Sequence, residues 1–360
     1  MKAIYKYISA HYSKVLTFLF FILSANMTGS LKAQTIYVDA IKGKAGARGS
    51  IHDPLISLEE AVNQTNNFSG LEPVVIKLAP GVYTLTHELN IKTALLTQDT
   101  IAYTIEAMVM PDDRKWEQSK MPFIKSVSSN SMVVPFPHCI GFLVAKDNVN
   151  FKGLKFIGHY NSNVSAYYPI KRGDKTLAGL NVSQCYFIGE KDWAPIEGAL
   201  WLTGKDIHID HCVFQSSKTA IILGGTIGGF SLTHSIISGC YESALWYTGS
   251  GIFFTFKNNV FTNCQYVLVH PKDKQPDYTF SDSYFVGNVH YLGFYQATKD
   301  NQPPVPVPVE NSRITEINIH KTGKIKLIPL KSGRIPVNYL SLSSASDGRE
   351  TAAGIFKLRK

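Results

Sequence analysis

Three stretches of the chain read LNVSQCYF (residues 180–187), IHIDHCVF (207–214) and FTFKNNVF (254–261). In each stretch the first, third and eighth residues are apolar, and the fifth residue is polar. Three related stretches, residues 149–156, 230–237 and 278–285, follow the same pattern, with glycine as the fifth residue of the first. The six stretches recur every 23 to 31 residues. A repeat of this length indicates that one small structural unit is used many times.

A second short apolar segment follows most of these stretches. These segments are ALWLTG (199–204), AIILGG (220–225), ALWYTG (244–249), VLVH (267–270) and YLGF (291–294). One repeat therefore contains three short strands and three turns. A unit of about 24 residues cannot bury its apolar side chains alone, but a stack of such units forms one continuous core. The pattern predicts a solenoid built mainly from strands.

This arrangement resembles the right-handed parallel β-helix of the pectin-lyase-like superfamily. The N-terminal segments TIYVDA (35–40), PLISLEEAV (54–62) and VVIKLAPGVYTL (74–85) are similar to the first strand, capping helix and first coil of that superfamily. Ser57 and Glu60 have the spacing of a helix capping box. The resemblance covers residues 35–295 and implies an all-β fold, a right-handed parallel β-helix of three short strands per coil with an N-terminal capping helix.

The first 33 residues are predicted to be a signal peptide. Three lysines, Lys2, Lys6 and Lys14, precede an apolar run over residues 15–25. That run is shorter than the about 20 residues needed to span a bilayer. Small residues before Gln34 are typical of a cleavage site. We expect a secreted or periplasmic protein with no membrane insertion after cleavage; an uncleaved anchor is the alternative.

Charge and composition narrow the possible partners. The 44% hydrophobic content and the 20 Phe and 18 Tyr residues exclude a disordered chain. Losing the four lysines of the leader reduces the basic residues from 36 to 32, against 27 acidic residues, so the mature chain carries +5. This mild excess allows an acidic polymer such as a polyuronate as partner. Nucleic acid binding is not expected, because no concentrated basic stripe is present.

The region after the repeats differs in composition. We expect the β-helix domain to cover residues 34–300. Residues 301–310 (NQPPVPVPVE) are predicted to be a proline-rich linker in polyproline II conformation. Residues 311–360 contain apolar residues at strand-like spacing, and we interpret them as a C-terminal cap or return strands. A separate small domain is the alternative.

One column of outward-facing residues is the candidate site. Strand alternation places Glu197, Lys218 and Glu242 at equivalent outward positions of three successive coils. With coils about 4.8 Å apart, the two carboxylates should be about 10 Å apart at their backbones. Trp201 and Trp246 should stand beside them and stack on sugar rings. Paired carboxylates can flank a glycosidic bond, so Glu197, Glu242 and Lys218 are the predicted catalytic residues.

Two lysines lie in the turns beside this column. Lys205 and Lys272 lie where each could hold an acidic sugar, and we predict them, with the two tryptophans, as substrate-binding residues. The resemblance points to the same face, since this strand and its turns usually carry the active site in the superfamily. The alternative is structural: Glu–Lys–Glu ladders are common as simple ion pairs between coils, and a loop over residues 158–178 could cover the tryptophans.

Two further columns have structural interpretations. His211 and His234 fall at successive corners, where polar side chains usually satisfy the backbone of the turn. Cys185 stacks with Cys212, and Cys240 stacks with Cys264. Coil spacing allows disulfides, but we interpret all four as buried free thiols. No metal motif is present, and we expect neither a metal nor another cofactor.

These observations favour an exported, carbohydrate-active, monomeric β-helix that cleaves a polysaccharide or oligosaccharide as a lyase or a hydrolase. The alternative is a non-catalytic solenoid on the cell surface, which either binds carbohydrate at the same face or serves a purely structural role.

Overall fold

The computed structural model describes residues 33–93, 100–131, 136–273, 278–296, 304–309, 314–331 and 334–357. The predicted signal peptide, residues 1–33, lies outside these ranges except for its last residue. Among the described residues, no helix is both long enough and apolar enough to cross a membrane.

Among the described residues 24 strands are present, and all but one of them form the three faces of a right-handed parallel β-helix. Face A begins with β1 (Gln34–Val38) and continues through β2 (Val74–Leu78), β5 (Tyr103–Ala107), β8 (Val149–Lys152) and β11 (Ala178–Ser183). It ends with the later parts of β13 (Gly198–Asp210) and β15 (Thr219–Thr233), then β18 (Ser250–Lys257), the start of β21 (Thr279–Val286) and β24 (Thr315–His320).

The other two faces follow the same order along the axis. Face B contains β3 (Val82–Leu85), β6 (Phe123–Ser126), β9 (Lys155–Ile157), β12 (Tyr186–Ile188), β14 (Val213–Gln215), β16 (Ile236–Ser238), β19 (Val260–Thr262) and the end of β21. Face C contains β4 (Leu89–Ile91), β7 (Cys139–Val144), β10 (Tyr167–Lys171), the starts of β13 and β15, β17 (Ser243–Tyr247), β20 (Tyr266–Pro271) and β22 (His290–Tyr295).

The register of the strands confirms the repeat alignment. On face A, Leu180 pairs with Val149 on one side and with Ile207 on the other. On face C, Trp201, Ile222, Trp246 and Val269 pair in order on successive coils. Equivalent residues of the repeat therefore stack directly on one another, as the sequence predicts.

Six of the corners between face A and face B each turn on a single residue in the left-handed backbone region. This region disfavours most side chains but is tolerated by Gly, Asn, Asp and His. The fifth residues of the repeat occupy it, with φ of +68° at Gly153, +54° at Gln184, +52° at His211, +46° at His234, +57° at Asn258 and +47° at Asp282.

Aromatic side chains stack along the core. The Phe187 ring lies 4.8 Å from Phe156 and 4.9 Å from Phe214, nearly parallel to both. All three are fully buried. The five cysteines are also buried and free, which confirms the interpretation of their stacks as unpaired thiols.

One α-helix, α1 (Leu58–Asn66), packs its buried residues Leu58, Ala61 and Val62 against the first coil. The Ser57 hydroxyl accepts a bond from the Glu60 backbone N–H at 3.3 Å, as the capping-box prediction requires. A capping box also predicts that the Glu60 carboxylate accepts from the backbone N–H of Ser57. This part of the prediction is wrong, because the Glu60 carboxylate accepts from the backbone N–H of Gly46 at 2.8 Å. Short 3₁₀ helices cover Gln118–Lys120 and Arg349–Thr351.

The C-terminal residues return along the outside of the helix. Within the proline-rich linker, β23 (Val307–Val309) pairs antiparallel with β22. After β24, the C-terminal strap (residues 321–331 and 334–357) covers the outer surface of face B. There Tyr339, Leu340 and Ile355 pack on Tyr186 and other outward residues of that face.

Replacing Phe214 by aspartate should destabilise more than one coil. The change removes a fully buried ring that packs on its neighbour and inserts a carboxyl without a partner, at a cost of at least about 3 kcal/mol. Urea unfolding of the variant measures this cost. Thr255→Asp, at an exposed position of β18, is the control and should change stability by no more than about 0.5 kcal/mol. Unchanged stability of Phe214→Asp would contradict the inward assignment of the phenylalanine column.

Candidate functional site on face C

Three charged side chains form a ladder at one edge of face C. Glu197, Lys218 and Glu242, which we call the carboxylate ladder, each stand just before the strand segment of their coil. Their backbones are stacked, since Thr219 N–H donates to the Glu197 carbonyl and Glu242 N–H donates to the Lys218 carbonyl. The predicted stacking of these residues is confirmed; their predicted roles remain predictions.

The ammonium group holds the two carboxylates together. Lys218 Nζ lies 2.6 Å from Glu197 Oε1 and 3.9 Å from Glu242 Oε1. The Thr219 hydroxyl donates to the second oxygen of Glu242 at 3.3 Å. All three side chains of the ladder keep about a quarter of their surface exposed. A molecule arriving from solvent can therefore reach both carboxyl groups.

The surroundings raise the pKa values of Glu242 and Lys218 for different reasons. Burial raises the pKa of Glu242, and the nearby Glu197 carboxylate adds to this, although Lys218 opposes both. For Lys218, burial alone would lower the pKa, but the two carboxylates outweigh it and the net pKa lies above the ordinary lysine value. Lys218 is therefore charged at neutral pH, and Glu242 holds its proton more strongly than an ordinary glutamate.

Two tyrosines adjoin the ladder. Burial raises the pKa of Tyr168 and of Tyr241, and the charges of Glu197 and Glu242 raise both further, so both phenols stay neutral. Tyr168 can lie close to the sheet because Gly198 has no side chain. A Cβ at that position would come within 3.2 Å of the Tyr168 ring and 2.6 Å of Ile222. A side chain there would force Ile222 to move and would crowd the Tyr168 ring.

Trp201 is partly exposed next to the ladder. Its ring lies 4.8 Å from Tyr168 and parallel to Phe136 at 6.3 Å. Lys171 Nζ sits over the ring at 4.2 Å from its centroid. The indole is thus fixed on several sides while part of its surface remains open, as a platform for a sugar ring requires.

Trp246 is more buried than predicted. It has the outward position expected, but only 9% of its surface is exposed. Its ring stacks on Tyr295 at 5.0 Å, and Tyr266 and Val269 complete the cluster. The predicted exposure of Trp246 is wrong, because a tyrosine two coils further along covers it. Strand alternation predicts that a residue points outward, but not that another outward side chain lies over it.

The two remaining predicted substrate-binding residues are exposed. Lys205 lies past the bend of β13, paired with Ala178 and Gly228 on face A. Lys272 follows β20, and its Nζ lies 5.4 Å from the centre of the Phe294 ring. Among the described residues, neither ammonium group forms an ion pair or hydrogen bond with the carboxylate ladder. The structure does not bring these lysines into contact with it.

Sequence reasoning missed a second charged group on this face. Lys171 pairs in register with Trp201, and its Nζ lies 3.1 Å from His138 Nε2. The other ring nitrogen of His138 lies 2.9 Å from the Phe136 carbonyl oxygen, which can only accept. That nitrogen therefore carries the proton, and Nε2 accepts from Lys171. Burial lowers the pKa of Lys171, although Glu88 opposes this. The repeat alignment does not reveal these contacts because His138 precedes the first aligned stretch.

A further exposed aromatic residue lies in the loop that precedes β13. Trp193 has 72% of its surface exposed, and a bridge between Glu190 and Ala194 closes the loop around it. The same loop places Lys191 over the Tyr241 ring at 5.4 Å. The signal was available in the sequence, since Trp193 precedes Glu197 by only four residues, but the loop lies outside the aligned strands.

Within the described ranges, one group of side chains has the spacing of metal ligands. It consists of Asp210, His211 and His234, at a corner between faces A and B. The carboxylate ladder on face C is not part of that group.

Comparisons with known proteins give only distant likeness. No protein-family model and no curated protein sequence matches the chain. Among solved structures, the chain is similar to the pectin methylesterase PemA from Erwinia chrysanthemi, with a TM-score of 0.40 and 11% identity over 89% of this chain and 97% of the other.

Two other solved structures are also similar. XylC in complex with xylose matches with a TM-score of 0.35 and 8% identity, over 86% of this chain and 73% of the other. The GH136 lacto-N-biosidase from Eubacterium ramulus matches with a TM-score of 0.30 and 10% identity, over 80% and 68%. Likeness at this level carries no argument about activity, so the site is interpreted from its own geometry.

Stability should depend on pH through Glu242. Because its pKa is raised in the folded state, the folded chain binds this proton more tightly than the unfolded chain. Wild-type stability should therefore decrease as pH rises from about 4.5 through the raised pKa. Glu242→Gln lacks this contribution. Its free energy of unfolding, relative to wild type, should increase with pH over that window and then level off.

Asp282→Asn is the control for this effect. In wild type, a hydrogen bond from Asn318 and the nearby Lys257 lower the pKa of Asp282. The contribution of Asp282 to the free energy of unfolding is therefore lost only as pH falls below about 4. Asparagine also tolerates the left-handed backbone of this corner. Urea unfolding between about pH 5 and pH 8 should give a constant difference from wild type for this variant. A constant difference for Glu242→Gln as well would contradict the raised pKa.

Proposed function

We propose that the protein is an exported, carbohydrate-active β-helix that cleaves a polysaccharide or oligosaccharide at face C. One observation carries the proposal: two carboxyl groups, each about a quarter exposed, share one ammonium group beside a partly exposed tryptophan. The tryptophan offers an apolar surface for the C–H face of a sugar, and the carboxyl groups lie within reach of its glycosidic bond.

The two carboxyl groups are suited to different steps. Glu242, which holds its proton more strongly, is the candidate general acid that protonates the leaving oxygen. Glu197, whose Oε1 lies 2.6 Å from Lys218 Nζ, is the candidate base or nucleophile. This division requires no residue beyond the carboxylate ladder and Trp201.

The spacing of the carboxyl groups favours one stereochemical outcome. Both Oε1 atoms contact the same nitrogen, so they cannot be farther apart than the two contact distances combined, about 6.5 Å. Retaining glycosidases have carboxyl groups about 5–5.5 Å apart, whereas inverting enzymes need about 6.5–9.5 Å to admit a water. A separation below this limit favours hydrolysis with retention of the anomeric configuration. A lyase would instead use the site to remove a proton and would leave an unsaturated sugar.

A second function uses the same face without catalysis. The short contact between Lys218 and Glu197 already neutralises that carboxylate, and the burial of Trp246 reduces the aromatic surface. Both observations fit a surface that binds sugar but does not cleave it. In that case Trp201→Ala should lose binding, while Phe253→Ala should not, since Phe253 is an 80% exposed aromatic on face A.

The test combines an activity screen with two variants. Acidic and neutral polysaccharides are assayed for new reducing ends and for the absorbance of unsaturated products. On a substrate that is cleaved, Glu197→Gln and Glu242→Gln should each lower kcat by at least about 100-fold, because each removes a proton-transfer group. Melting temperatures should change little, since exposed ion pairs contribute at most about 1 kcal/mol.

Glu106→Gln is the matched control. It makes the same chemical change in the Lys77–Glu106 ion pair on face A, where the two groups are 3.3 Å apart. Its turnover should equal that of wild type. Full activity in both ladder variants would remove the carboxylate ladder from catalysis. Sugar binding without any product, lost in Trp201→Ala, would favour the non-catalytic function.

A further inference from the structure

Two successive corners between faces A and B bring three ligand-type side chains together. Asp210 ends β13, and His211 and His234 are the corner residues of consecutive coils. The two imidazole rings stack at 4.6 Å with an angle of 20° between them. We call these three residues the corner cluster.

The donor atoms of the corner cluster converge on one point. Asp210 Oδ1 lies 2.9 Å from His211 Nδ1 and 3.1 Å from His234 Nδ1, and all three atoms lie within 4.8 Å of one another. Ligand atoms bound about 2.1 Å from a metal ion lie about 3.0–3.4 Å from each other in octahedral or tetrahedral geometry. The two distances from Asp210 Oδ1 are close to this range.

His211 distinguishes this cluster from an ordinary ladder of hydrogen bonds. Only 6% of its surface is exposed, and neither ring nitrogen makes a hydrogen bond within the described residues. Its Nδ1 is near Asp210 Oδ1 but is not aligned to donate to it. A buried polar group left without a partner costs about 1–3 kcal/mol. A metal ion bound to Nδ1 would supply a partner for one of these two nitrogens.

The outer contacts of the cluster also suit a metal site. Asp210 Oδ2 lies 3.0 Å from Lys357 Nζ, which leaves Oδ1 to face the imidazoles. The Thr233 hydroxyl donates to Oδ1 at 2.8 Å, which fixes the orientation of the carboxylate. His234 Nε2 contacts the Asn258 amide at 3.0 Å. Ligating histidines usually have such a partner on the second nitrogen.

Metal binding fixes the tautomer of His234. With the amide nitrogen of Asn258 donating to Nε2, the proton of His234 lies on Nδ1 and faces Asp210. Rotating the amide by 180° exchanges its oxygen and nitrogen without moving other atoms. Nε2 then donates to the amide oxygen, and Nδ1 presents its lone pair to the ion.

We propose that the corner cluster binds a divalent first-row transition-metal ion, of which Zn²⁺ is the type, through Asp210 Oδ1 and the Nδ1 atoms of His211 and His234. Two imidazoles and one carboxylate are ligands that suit such ions better than Mg²⁺ or Ca²⁺. The ion would join two consecutive coils. It would also secure the C-terminal strap, since Gly354 N–H donates to the His234 carbonyl and Lys357 pairs with Asp210.

Calorimetric titration of the untagged protein with Zn²⁺, and the visible absorbance of Co²⁺, test the proposal. Wild type should bind one ion per chain, and its melting temperature should rise with Zn²⁺ concentration. Asp210→Asn, His211→Asn and His234→Asn keep a residue that tolerates these positions. Losing an outer partner weakens metal sites by about 10–100-fold. Asn258→Gly, which tolerates the left-handed backbone, should fall in that range, and each ligand variant should bind at least about 100-fold more weakly.

His208→Asn is the matched control, since His208 is an exposed histidine of the same strand whose Nδ1 lies 2.8 Å from the Ser231 hydroxyl. It should bind as wild type does. Absence of one-to-one binding in wild type, or unchanged binding in the ligand variants, would overturn the proposal. If the ligand variants fail to fold, anomalous scattering from zinc-soaked wild-type crystals decides. A peak bonded to the three donor atoms supports the site, and a peak elsewhere or none overturns it.

Discussion

The stacking of equivalent residues on successive coils is the constraint on which the structure depends. Parallel pairing places each residue of one coil directly over its counterpart in the next, so a single choice of residue is repeated along a whole column. Inward columns become the continuous core, in which Phe156, Phe187 and Phe214 stack ring on ring. Outward columns become rows of like or complementary groups. The same rule therefore produces both the stability of the coil and the carboxylate ladder of face C.

Equivalent residues stack because each coil repeats the one before it along the axis. The repeat in the sequence therefore predicts this stacking well. The repeat alone predicts the three faces, the corners at Gln184, His211 and Asn258, and the stacking of Glu197, Lys218 and Glu242; the left-handed backbone of those corners comes from the structure. It does not predict contacts between different columns, since those depend on side-chain direction and on loops outside the repeat. The burial of Trp246 under Tyr295 and the contact of Lys171 with His138 are of this second kind.

Two regions show how the outer surface is divided. The C-terminal strap covers the apolar side chains of face B, so that face is occupied. Face C keeps partly exposed charges and Trp201, and the loop with Trp193 adjoins it. A long solenoid with one covered face and one polar, aromatic-edged face is suited to an extended ligand such as a sugar chain. The corner cluster lies where the strap meets the corners between faces A and B, so a metal ion there would support the covered side without entering face C.

We expect a sugar chain to occupy face C beside the carboxylate ladder. The most direct measurement is the NMR response of the indole N–H groups of the four tryptophans during titration with an oligosaccharide that the protein cleaves or binds. If a sugar chain binds at face C, the indole N–H signal of Trp201 should shift until binding is saturated. The signal of Trp116 should not change, because Trp116 lies in the buried cluster beneath the strap. A shift at Trp116 with Trp201 unchanged would contradict this expectation.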